Sequence, residues 1–138
     1  MQESDALITV ITCWEGQIIA AVTTWMAMHL HRSADYFITE SAPERLLAEG
    51  SAEAVQRLQA HLTLADVNAR QHTLFLIGHA HCAGTSQGGG PPEPDLMPQA
   101  LARLQTWYPK CALAGMWVDA AGQVRVVASL PSASPERH

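Results

Sequence analysis

The chain has 138 residues, 48% of them apolar and 15% charged, proportions that suit one domain able to bury a core. A formal net charge of -5, with no cluster of Lys and Arg, argues against a nucleic-acid partner. The opening Met1-Gln-Glu-Ser-Asp5 is polar and acidic, unlike a secretory leader, and no apolar run approaches the length of a membrane span, so a cytoplasmic location is expected.

Leu7 to Thr12, apolar and β-branched without a charge, predicts a central strand that delivers Cys13 to its carboxyl end. Trp14 to Gln17 reads as a turn broken at Gly16. Ile18, Ile19, Val22, Trp25, Met26 and Leu30 then recur at helical spacing. Tyr36 to Thr39 predicts a short second strand, and Pro43 to Gly50 a helical turn begun by proline and stopped by glycine. Ser51 is a good N-cap with Glu53 in the first turn behind it. Val55, Leu58, Leu62, Ala65 and Ala69 share one face, so this helix is expected to run as far as Ala69.

Thr73 to Ile77 is a short apolar run of the kind that forms a strand buried on both faces, with Gly78 expected to turn the backbone sharply at its end. The glycines and prolines between Thr85 and Pro94 predict a flexible loop. Leu96, Ala100, Leu101, Leu104 and Trp107 predict another helix. Ala112 to Val118 and Gln123 to Ala128, joined across Gly122, predict a β-hairpin. Residues 131–138 are expected to form a disordered tail, leaving 1–130 as a single domain.

This order predicts an α/β fold, with a mostly parallel central sheet flanked by helices and a C-terminal β-hairpin. In such folds sites form beyond the carboxyl ends of the strands, where Cys13 and His79 both fall. His79 and Cys82 lie three apart, close enough to hold one ion. A thiolate with an imidazole suits zinc, and Cys13 from the neighbouring strand tip is the expected third ligand. Three widely separated cysteines make a disulfide framework improbable, and Cys111 reads as a core residue. His29, His31, His61 and His72 fit surface or flanking positions.

The pattern resembles the β-class carbonic anhydrases. Their first strand ends in Cys-x-Asp-Ser-Arg and a later one in Gly-His-x-x-Cys-Gly. Here the matching stretches are Cys13-Trp-Glu15-Gly16-Gln17 and Gly78-His79-Ala-His81-Cys82-Ala83-Gly84. Asp35-Tyr-Phe-Ile38 and Gly115-Met-Trp-Val-Asp119-Ala-Ala-Gly122 are similar to two further family segments. The resemblance implies Zn2+ on Cys13, His79 and Cys82, a small-molecule substrate, reversible hydration of carbon dioxide to bicarbonate by zinc-bound hydroxide, and a homodimer or higher homo-oligomer.

The family's Asp-Arg pair is Glu15 and Gln17 here, and glutamine has no guanidinium fork with which to form that ion pair. Glu15 is expected either to accept a hydrogen bond from a zinc-bound water or to ligate zinc and close the site. His81 is the candidate proton shuttle, since an unperturbed imidazole titrates at about 6.5. The alternatives are a family member that binds zinc without carbonic anhydrase activity, and a hydrolase of carbonyl sulfide or carbon disulfide.

Overall fold

In a computed structural model the described residues are 7–65, 67, 72–79 and 96–131. Among them the order is β1 (Leu7–Thr12), α1 (Gly16–Leu30), β2 (Tyr36–Thr39), α2 (Pro43–Glu49), α3 (Ala52–Leu64), β3 (His72–His79), α4 (Met97–Trp107), β4 (Ala112–Val118) and β5 (Val124–Leu130). The strands form one sheet in the order β2-β1-β3-β4-β5. β2, β1, β3 and β4 are parallel, and β5 returns antiparallel to β4 as the predicted hairpin. The fold is therefore the expected α/β arrangement. No described helix is long and apolar enough to cross a membrane. Ala69, the loop from Thr85 to Pro94, residues 132–138, and both His81 and Cys82 lie outside the described residues.

The two-residue period of a strand sends alternate side chains to opposite faces, and both faces are covered. Ile11, Leu74, Leu76, Leu113 and Trp117 pack with α2, α3 and α4 in the larger core cluster. Ile8, Val10, Phe75, Ile77, Met116 and Val118 pack against Ile18, Val22 and Met26 of α1. Each fully buried aliphatic side chain contributes roughly 1.5–3 kcal/mol, so the continuous apolar runs are what fix the sheet in the middle of the fold.

Three local expectations need correction. Gly78 does not end β3: it pairs with Trp117, and His79 pairs with Val118 inside the strand. Gly122 is the positive-φ glycine among the described residues, at 84° in the β4–β5 turn, so Gly78 is not needed for a turn. It is needed for space, because a Cβ there would stand 2.7 Å from Trp117 Cζ3 and 3.1 Å from Glu44 Cδ.

Gly16 likewise does not break a turn but opens α1. Glu15 is the N-cap, and its carbonyl accepts from the N–H groups of Ile18 and Ile19 at 3.1 and 3.2 Å. Helix α3 stops at Leu64, short of Ala69. Ala65 leaves helical geometry at ψ 1°, and the Val67 N–H reaches back to the Leu62 carbonyl at 3.4 Å, a terminating turn sealed by burial of both side chains.

Candidate metal centre

β1 and β3 are adjacent and parallel, with Ile11 level with Leu76. Two residues further on, Cys13 emerges level with Gly78 and next to His79. The chain then turns over Cys13–Glu15 into α1, which brings Glu15 back to the same place. Cys13 Sγ lies 3.1 Å from His79 Nε2, and Glu15 Oε2 lies 3.9 Å from that nitrogen. The potential ligand atoms of these three residues all fall within 4.8 Å of one another.

Burial differs across the cluster. Cys13 is fully buried and packs on Ala42, His79 is 2% exposed, and the Glu15 side chain keeps 20% of its surface, so Glu15 marks the solvent side. The Glu15 N–H donates to Cys13 Sγ at 3.2 Å. Such a bond favours the thiolate, the form of cysteine that binds metals.

The donor set comes within a few tenths of an ångström of zinc geometry for the two separations that involve His79. Tetrahedral bonds of ~2.0–2.3 Å place neighbouring donors about 3.3–3.8 Å apart. The Cys13–His79 and Glu15–His79 separations of 3.1 and 3.9 Å bracket that range. Sulfur, nitrogen and oxygen donors in this mixture are those that zinc takes.

Gln17 follows Glu15 by two residues. It sits exposed in the first turn of α1 and lines a neighbouring cleft of about 280 Å³ with Ile18, Ala21, Val118 and Asp119. Asp119 shapes that cleft: its Oδ1 accepts from the N–H groups of Ala121 and Gln123, both at 2.9 Å, and so fixes the hairpin turn.

Sequence reasoning missed three neighbours of the cluster. Ala42, which packs on Cys13, has a left-handed backbone at φ 43°. Ser41 bonds Trp14, and Glu44 is 1% exposed against Gly78. The position of 41–44 directly after β2 was the available signal, since adjacent parallel strand tips share one crevice.

These features define an α/β protein with a thiolate, imidazole and carboxylate converging at its strand tips, able to hold a metal ion. The chain belongs to the family described as putative carbonic anhydrase, whose profile matches residues 3–128. No curated protein and no solved structure matches it at a significant level.

Proposed function

We propose that this chain is a zinc-dependent carbonic anhydrase that catalyses the reversible hydration of carbon dioxide to bicarbonate. The observation that carries the reading is the convergence of Cys13, Glu15 and His79 at the tips of β1 and β3 in a member of this family. Cys13 and His79 would hold zinc together with Cys82, three residues beyond His79 in sequence. Zinc, when bound, supplies the Lewis acidity that brings deprotonation of water toward neutral pH.

The remaining roles fall to the chain. The Glu15 N–H on Cys13 Sγ would favour the thiolate that a metal needs. A Glu15 carboxylate oxygen, at the solvent side, would accept a hydrogen bond from a water at the site and orient it. The His81 imidazole passes the released proton to solvent. Gln17 offers an uncharged amide to a small substrate in the adjoining cleft.

One observation favours a second reading, in which the protein binds zinc without hydrating carbon dioxide. Glu15 is close enough to complete the ligand set and close the site. Elemental analysis combined with stopped-flow hydration from about pH 7 to 9 separates the two. One zinc per chain with hydration that disappears on chelation is expected. One zinc without hydration selects the closed site, and no zinc rejects both.

We also propose a homodimer, supported by the position of β2 as an outer strand that pairs on one side only among the described residues. Tyr36 and Phe37 are exposed there beside a groove of about 330 Å³ bordered by His61 and Leu64. Sedimentation as a monomer at micromolar concentration would reject it.

A further inference from the structure

Trp14 stands between the donors Cys13 and Glu15, and the residue is 55% exposed. One hydrogen bond restrains the indole, from Nε1–H to Ser41 Oγ at 3.1 Å. Ser41 is itself well anchored. The preceding residue, Glu40, donates its N–H to the Thr12 carbonyl at 2.9 Å. Its largely buried carboxylate accepts from Arg57 Nε at 3.2 Å and Nη2 at 3.1 Å. The following residue, Ala42, packs on Cys13. The segment leaving β2 is thus pinned to β1 on one side and to α3 on the other.

The Cys13–Glu15 turn is held from within by the Glu15 N–H on Cys13 Sγ. Glu15 caps α1 through its carbonyl, and no side chain caps that end of the helix. The bond to Ser41 ties the turn to the anchored segment after β2 by a polar contact, beside the packing of Ala42 on Cys13. Metal donors need placement to within about 0.5 Å, and groups that orient them typically change metal affinity by about 10–100-fold.

We propose that Trp14, through its hydrogen bond to Ser41, is a positioning residue for the metal centre. It fixes the turn so that Cys13 Sγ and the Glu15 carboxylate stay within reach of the ion shared with His79. This rests on the metal reading above, and the closing experiment separates failure of one from failure of the other. An indole that serves only as an apolar contact surface would have no use for the Ser41 hydroxyl.

The test is titration of the metal-free protein with Co2+, whose d–d and thiolate charge-transfer absorption reports the number and arrangement of donors. Wild type is compared with Ser41→Ala, Ser41→Thr, Trp14→Phe and the Ser41→Ala/Trp14→Phe double variant. Ser41→Ala and Trp14→Phe are expected to bind Co2+ about 10-fold more weakly, with altered d–d bands, and the double variant no more weakly than either. Ser41→Thr, which keeps the hydroxyl, restores wild-type behaviour. Metal-free melting temperatures stay at the wild-type value, which separates positioning from folding.

Wild-type affinity and spectra in Ser41→Ala and Trp14→Phe would overturn the proposal, as would additive losses in the double variant. Absence of Co2+ uptake by the wild type would instead defeat the metal reading and take the proposal with it.

Discussion

Replacing Gly78 by alanine tests the reason β3 carries a glycine next to His79. The added Cβ would lie 2.7 and 2.9 Å from Trp117 Cζ3 and Cε3, and 3.1 Å from Glu44 Cδ. An ordinary contact needs more than about 3.4 Å, so the indole must retreat by roughly 0.5–0.7 Å. It has little room, because Trp117 is 5% and Glu44 1% exposed and the β4 backbone is hydrogen-bonded on both sides. Overpacking of this kind typically costs about 1–3 kcal/mol, and the upper half of that range is expected here. For a chain of this size that is a fall in melting temperature of roughly 6–12 °C.

Urea unfolding followed by far-UV circular dichroism gives the energy directly. The deciding measurement is the same substitution in a Trp117→Phe background, which removes the indole ring that Cβ strikes. There Gly78→Ala should cost less than about 1 kcal/mol. A loss within about 0.5 kcal/mol of zero in the wild-type background, or an equal loss in both, would show that the steric account is wrong.

Other consequences are simpler to check. Ser51 Oγ accepts from the Ala54 N–H at 3.2 Å, so Ser51→Ala should lower stability by about 1 kcal/mol in chemical denaturation. Burial pushes the Cys111 thiol up to about 11 from 9.0, so in the unfolded chain it ionises first. Its contribution is complete below about pH 9 and is lost as pH rises toward 11, by at most roughly 2–3 kcal/mol. Burial raises Tyr108 in the same direction, so Cys111→Ala should flatten the alkaline slope only partly. Glu15→Ala should weaken zinc binding if the carboxylate is a ligand and leave affinity nearly unchanged if it only orients water, as competition with a chromophoric chelator would show.

The sheet was legible because its inner strands are buried on both faces and so read as unbroken apolar runs; β1 and β2 begin and end where their residues predict. Gly78 was misread because a glycine needed for a turn and one needed for a neighbour's ring look alike in one dimension. The ring belongs to Trp117, on a strand that comes much later in the chain. Helix α3 was overrun because its apolar stripe continues to Ala69, while its end is set by a backbone bond from Val67 to Leu62. At the site, Cys13 and His79 were visible as residues at strand ends. Glu15 was expected beside them from the family resemblance; that Gln17 lines the next cleft depends on where α1 starts, and a turn of a few residues does not declare that.

Cys13 and His79 are 66 residues apart, and their meeting requires β3 to be laid beside β1. If these two residues hold a metal as proposed, the ion could not gather them from a local stretch of unfolded chain, as it does in a zinc finger. Pairing strands so far apart carries a loop-closure cost, which burial of the apolar strands offsets here. On the metal reading proposed above, the scaffold would come first and the metal afterwards. A freshly made chain would then pass through a folded, metal-free form, whose loading depends on metal supply after synthesis and whose stability rises with free metal as mass action requires.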